Sequence, residues 1–321
     1  YSAGFSIYNN ADPYNPVETE RPLFLNYPRD CSIYEDYGFF AEVIGFNYVG
    51  ALKVVDINPL ESASVVREHV LYGTPTSLFL ESNRLVVGSA GPGHIWLYDV
   101  SDPLNCQQVY DKGFSVGVSA VCIAGIAMYA TTTDGILKVF NISNFPNVTQ
   151  KPDVDLPCSA VASKIVHHNH RLYISRQSTD EIWIYDISDM NNPTYVGLYY
   201  CGWQISDMDF GTYFWSDYLY VATQDRLVIL DVSNPDDPIQ KDAIQVPYAL
   251  RHIAVDQQLA YVCGQKESPA VAAVFPPDDA KFVSVSFPDN PGFFNMGLSV
   301  AQGHLFEMQD CIGFTAFDLY P

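Results

Sequence analysis

One pattern recurs from end to end of this 321-residue chain: an apolar strand that closes on Asp or Asn. It reads SIYN to Asn9, KVVD to Asp56, WLYD to Asp99 and KVFN to Asn141. It continues as WIYD to Asp186, VILD to Asp231, AAVF before Pro276 and TAFD to Asp318. The successive spacings are 47, 43, 42, 45, 45, 45 and 42 residues. A near-constant period of this length means that one supersecondary unit is built repeatedly, each copy covering apolar surface its neighbour leaves open.

The internal order of an interval is also constant. After the Asp comes a Pro-containing turn such as VSDP (100–103) or VSNPDDP (232–238), then a short strand such as PTYVGLYY (193–200). A loop leads to an apolar strand such as LRHIAV (250–255), a polar turn, an LYVA-type strand and the Asp-ending strand again. Helical periodicity is missing throughout, so the chain is all-β, and four short strands per repeat is the pattern of propeller blades. The expectation is a single β-propeller domain over 1–321, with seven blades of four antiparallel strands and eight blades as the alternative. The N-terminal strand near 4–9 is expected to pair with the C-terminal strand near 313–318 and close the ring, since an open edge invites aggregation. Prolines 13, 16, 22 and 28 make residues 1–30 the least regular part, an arm that carries the closing strand.

The stretch LYVATQDRLVILDVSNPDDP (219–238) joins a Tyr-Val-Ala strand, a Leu-Val-Ile-Leu-Asp strand and a Ser-Asn-Pro stop. It resembles the LVIVD repeat, as does 172–193; 95–103 and 136–147 match less fully, and the two ends faintly. The resemblance implies a β-propeller, commonly a bacterial or archaeal cell-surface protein. It carries over no catalytic residue.

Acidic residues outnumber basic ones 37 to 16, for a net charge of −21. That excludes nucleic acid and anionic membranes as partners, because both require a basic footprint. No apolar run reaches the length of a membrane span. The chain begins at Tyr1 without Met or a leader-like segment, so the expectation is a mature extracellular or cell-surface chain after signal-peptide removal. Seven cysteines occur and none forms a CxxC motif. On the propeller reading, Cys31 and Cys311 come from the two blades that meet at the closure, and Cys158 and Cys201 occupy equivalent loops of neighbouring blades. These are the two candidate disulfides. Asn141 and Asn147 head glycosylation sequons, and Asn147 is the better acceptor because Asn141 occupies the Asp position of the repeat.

The repeated Asp is expected to cap its own turn, accepting the N–H two residues on, with Pro then stopping the strand. Asn at 9 and 141 fits that role and not acid–base chemistry. VSNPDDP lacks the Gly and the alternating ligands of a calcium loop, so no cofactor is expected. His167, His168 and His170 in HHNH diverge on a turn and do not form a metal site.

Loops entering the innermost strands share a face with the turns after the LYVA-type strands. Gln177, Gln224, Gln265 and Gln309 follow those strands in consecutive repeats. They offer an arc of amides to a sugar or peptide; capping of the hairpin is the structural alternative. Trp203, Asp207, Arg251 and His252 lie on loops and strand starts of the same face, with Arg251 and His252 the best single pair. Neither G-x-S-x-G nor H-E-x-x-H occurs. The preferred function is a non-enzymatic extracellular module for protein interaction, self-assembly or ligand binding, with glycan as a further ligand class. The alternative is a hydrolase or lyase of a polysaccharide or small ester, acting near Arg251, His252 and Asp207.

Overall fold

The computed structural model describes residues 6–9, 17–20, 27–44, 49–59, 62–213, 216–246, 248–256, 259–264, 270–274, 277, 279–283, 295–301, 304–309 and 313–318. Its strands run, in chain order, β1 (Ser6–Asn9), β2 (Val17–Glu20), β3 (Tyr27–Tyr34), β4 (Tyr37–Ile44), β5 (Val49–Asp56) and β6 (Ser64–Leu71). Next are β7 (Thr74–Glu81), β8 (Arg84–Ala90), β9 (His94–Asp99) and β10 (Gln107–Gly113), then β11 (Val118–Ala124), β12 (Ala127–Thr132), β13 (Ile136–Asn144), β14 (Asn147–Gln150) and β15 (Val154–Asp155). They are followed by β16 (Ala162–His168), β17 (Arg171–Arg176), β18 (Glu181–Asp186), β19 (Thr194–Tyr200), β20 (Ile205–Tyr213), β21 (Ser216–Thr223), β22 (Arg226–Asp231) and β23 (Ile239–Gln245). The last are β24 (Leu250–Asp256), β25 (Leu259–Gly264), β26 (Ala270–Ala273), β27 (Lys281–Val283), β28 (Asn295–Ala301), β29 (His304–Gln309) and β30 (Gly313–Asp318).

These strands form seven sheets; in six of them the strands follow one another along the chain, each sheet carrying one Asp-ending strand or its counterpart, and the seventh draws strands from both ends of the chain. The chain divides into two compact units, residues 29–55 with 65–200, and residues 1–28 with 56–64 and 201–321. The first unit holds β3–β6, β7–β10, β11–β15 and β16–β19; the second holds β20–β23, β24–β27 and the sheet β2-β1-β30-β29-β28. In that last sheet the two ends of the chain meet. β1 pairs with β30, Ile7 opposite Ala316, in parallel, and β2 adds antiparallel outside β1. No helix among the described residues is long and apolar enough to cross a membrane.

Packing between successive sheets explains the unbroken apolar runs. Leu85 and Val87 of β8 and Trp96 and Tyr98 of β9 enter a core with Phe39, Leu52 and Val54 of the preceding sheet. Their neighbours Val86, Ile95 and Leu97 enter a second core with Val121, Ile123 and Met128 of the following sheet. Side chains alternate across a strand, so a sheet buried on both faces requires apolar residues at every position. The second unit repeats this with Ala222, Leu227 and Ile229 against Leu250, Ile253 and Val262.

The repeated Asp does what local chemistry dictates. Its Oδ1 accepts the amide two residues on at Asp56 (Asn58, 3.0 Å), Asp99 (Ser101, 3.0 Å), Asp186 (Ser188, 2.6 Å) and Asp231 (Ser233, 2.9 Å). Asn141 makes the same bond to Ser143 at 3.0 Å. The Ser188 hydroxyl and amide hold the Asp186 carboxyl below the usual carboxylate value. At Asp231 burial pulls upward, but the Ser233 amide and hydroxyl with Lys241 outweigh it and the net direction is down.

One turn differs from expectation. In HHNH, His167 and His168 end β16, and the turn is Asn169–His170, both at positive φ (45° and 59°). A two-residue hairpin demands that geometry, which Asn tolerates. His167 packs on Phe79 and burial lowers its pKa, so it belongs to the framework. At the end of β20, Tyr213 pairs with Ser216, so β20 and β21 run longer than the other hairpins.

Candidate functional site

The innermost strand of a sheet begins with a β-bulge. The register slips between Pro75 and Ser77, Val118 and Ala120, Ala162 and Lys164, Ile205 and Asp207, Leu250 and His252, and Asn295 and Gly297. Two residues there oppose one on the partner strand, which interrupts alternation and re-aims side chains. The inserted residues are Thr76, Ser119, Ser163, Ser206, Arg251 and Met296.

The residue after the bulge ties one sheet to the next. Asp207 Oδ2 accepts the amide of Ile253 at 3.3 Å and its Oδ1 accepts that of Met208 at 2.9 Å. The equivalent Ser77 accepts the amide of Val121 at 3.3 Å, and Asp30 that of Leu78 at 2.7 Å. Ser replaces Asp in this role, so the position works as an acceptor for a neighbouring strand. Asp207 is correspondingly buried, 6% exposed.

His252 stands beside it, Nδ1 3.7 Å from Asp207 Oδ2. The structure therefore brings together the Asp207 and His252 named from sequence, with Arg251 exposed at the same strand start. Trp203 lies on the loop entering β20, and the Arg226 guanidinium sits 4.8 Å from its ring centroid. The same loop-to-strand contact recurs as Phe114 with Lys138 (5.8 Å) and Tyr72 with His94 (6.0 Å). These latches were not read from sequence; an aromatic in the incoming loop followed by a cation or His near the start of the Asp-ending strand is their signal.

The glutamines divide. Gln224 is exposed; its amide N–H donates to the Gln204 carbonyl at 3.2 Å and its side-chain Nε2 donates to Gln204 Oε1. Gln177, in the other unit, is exposed and its N–H donates to the Val161 carbonyl at 2.9 Å. These backbone bonds continue the hairpin ladder and put the turn beside the loop entering the inner strand. Gln309 falls one residue short: it pairs with Asn295 as the last residue of β29, the register position of Arg176 and Thr223. Its side chain and the whole of Gln265 lie outside the described residues.

No disulfide joins any two described cysteines, so the Cys158–Cys201 pairing is corrected. Cys158 is exposed in a left-handed turn (φ 58°), while the buried Cys201 thiol donates to the Trp203 carbonyl at 3.1 Å. The Cys201 sulfur is thus held within its own loop. Cys31 is buried, and its suggested partner Cys311 lies outside the described residues. A Cys–His contact joins His69 Nε2 to Cys106 Sγ at 3.0 Å. Burial pushes that thiol up to about 11 and lowers the imidazole, giving a neutral pair and not an activated thiolate. Of the sequons, Asn147 is exposed at the start of β14. Asn141 holds Ser143 with its oxygen and Asn191 Oδ1 with its nitrogen at 2.8 Å.

Bulged inner strands, sheets stacked through apolar cores and polar groups gathered at the inner-strand starts define a β-propeller protein. The LVIVD repeat family matches residues 216–245, the segment from β21 through β23. Among solved structures, the Cps50 (Swd1) β-propeller domain of Myceliophteria thermophila matches with TM-score 0.71 and 13% identity, over 92% of this chain and 98% of that one. The periplasmic gluconolactonase PpgL of Pseudomonas aeruginosa matches with TM-score 0.66 and 13% identity, over 81% and 89%. A protein from Lactobacillus plantarum gives 0.71 and 9%, over 85% and 89%. Identities this low speak to the fold alone. No curated protein sequence matches this chain.

Proposed function

We propose that this protein is a non-enzymatic binding module of the cell surface or extracellular space, taking its ligand or partner at the inner-strand starts around Trp203, Gln224, Arg251 and His252. The observation that carries this reading is the use of Asp207. Both its oxygens serve backbone amides, in a position where Ser77 does the same work. The carboxylate beside His252 is therefore a strut, and the groups left facing outward bind by stacking, amide hydrogen bonds and charge. The extracellular assignment rests on the LVIVD repeat at 216–245. Closure of the seven sheets as one ring through the β1–β30 pair belongs to the same proposal.

A hydrolase is the second reading. It is favoured by the 3.7 Å approach of His252 to Asp207 and by the fold likeness to a gluconolactonase. The deciding experiment screens the intact chain against glycan and peptide arrays and against lactone, ester and glycosidic substrates. Binding without turnover is expected. Turnover that disappears in a folded His252→Ala variant would replace the first reading by the second.

A further inference from the structure

Cations are scarce in this chain, 16 against 37 acids, so where each one goes is informative. Seven arginines lie among the described residues. Arg84 reaches the Gly125 carbonyl (2.6 Å), Arg171 pairs with Asp186 (3.2 Å) and Arg176 with Glu181 (2.9 Å). Arg67 donates to the Leu104 carbonyl (3.2 Å), and Arg226 donates to the Ala243 carbonyl (3.2 Å) and covers Trp203. Arg29 and Arg251 are exposed and make no such bond to any described residue.

These two share a place in the repeat. Arg251 is the inserted residue of the β24 bulge. Arg29 precedes Asp30 as Thr76 precedes Ser77 and Ser206 precedes Asp207, and Asp30, Ser77 and Asp207 are the three residues that hold the next strand's amide. Three other copies of this position carry a hydroxyl tied into the framework. Thr76 donates to the Val118 carbonyl (2.8 Å), Ser119 bonds Thr131 (2.9 Å) and Ser163 bonds Ser175 (2.9 Å). A position that holds a short, bonded hydroxyl in three sheets thus holds, in two others, a long guanidinium that pairs with no acid among the described residues. In a protein with so many carboxylates to spare, an Arg that pairs with no described acid at a conformationally specified site is a ready donor to an anion from outside.

Resting on the binding-module reading, we propose that Arg251 recognises the carboxylate of an acidic saccharide. Its planar fork matches a carboxylate through two parallel N–H···O bonds. His252 adds a ring donor on the same strand start, and the Gln204–Gln224 amides, at the same end of the adjacent sheet, suit sugar hydroxyls. Arg29 is the corresponding group of the other unit.

The test is calorimetric titration of the full chain with triglucuronate, with neutral cellotriose, which has the same ring and linkage but no carboxylate, and with monomeric glucuronate. Triglucuronate should bind, cellotriose should bind at least tenfold more weakly, and the monomer should fall between them. Arg251→Ala should lose about tenfold or more, the range of a charge-assisted bond, and Arg251→Lys should recover part of it. Neither change should move the melting temperature, since the Arg251 side chain makes no hydrogen bond or ion pair among the described residues. Equal binding of cellotriose, an undiminished Arg251→Ala variant, or no binding of triglucuronate or glucuronate overturns the proposal. In each case array binding of neutral glycans or peptides lost on Trp203→Ala or Gln224→Ala leaves the binding-module reading standing, and its absence removes both. Binding of glucuronate as tightly as triglucuronate reassigns the site to small acids and overturns the saccharide.

Discussion

Asp207 and Ile253, 46 residues apart, are joined by a hydrogen bond between successive innermost strands, carboxylate oxygen to backbone N–H at 3.3 Å. The carboxylate is buried, so its loss exposes no water-accessible replacement for that amide. Asp207→Ala should destabilise the protein by about 1–3 kcal/mol, the cost of an unsatisfied buried donor. Asp207→Asn, which keeps an oxygen, should cost less. Urea titration of both variants checks this, and two identical midpoints would sink the strut assignment.

Acid should act first on the Asx turns. The Asp186 and Asp231 carboxyls are held below their usual value in the folded protein. A depressed folded pKa gives stability that is complete above the unfolded value, about 3.9, and is lost as pH falls through the folded one. The midpoint of thermal unfolding should therefore fall steeply below about pH 4. Asp231→Asn, which keeps the turn acceptor without the titration, should be less stable than the parent at neutral pH and show a shallower acid limb.

Lys53 and Glu42 form a salt bridge at 2.7 Å with side chains 9% and 0% exposed, on neighbouring strands β5 and β4. Removing Lys53 takes the 2.7 Å counter-charge from a fully buried carboxylate. Lys53→Met is expected to cost about 3–5 kcal/mol, whereas the double change with Glu42→Leu should return most of it. A chemical-denaturation cycle over the four proteins measures the coupling; additive effects would show that the pair is not interacting as the geometry indicates.

Glycosylation should separate the two sequons. Asn147 is exposed, while the Asn141 amide is held on both sides by Ser143 and Asn191. Expressed through a eukaryotic secretory route, the chain should gain one glycan, and Asn147→Gln should remove it. Intact mass spectrometry decides, and a glycan retained on Asn141 would contradict the bonded arrangement.

The turns and strands were legible because their causes are local. Asp231 caps Ser233 two residues on, and the LVILD run is apolar because its sheet is covered on both faces. The polar face was legible in part. Asp207 and His252 do meet, with Arg251 beside them in the chain, but Gln309 is a residue out of step with Gln177 and Gln224, because it still pairs as the last residue of its strand and does not follow it. The bulges left no mark in composition, since Thr76, Ser163 and Arg251 share only a place in the register. Cys158 and Cys201 looked equivalent by position, yet backbone conformation turns one outward at φ 58° and buries the other.

By itself, then, the sequence determined the period, the order of strands within it and the chemistry of each turn, since these depend on contacts a few residues apart. The tertiary structure alone decided which polar groups became framework and which stayed available. Asp207 is a strut because packing delivers the Ile253 amide to it, and Arg251 is open because no acid among the described residues is delivered to it. Such outcomes depend on which residues of successive sheets come within bonding distance, and no local pattern records that.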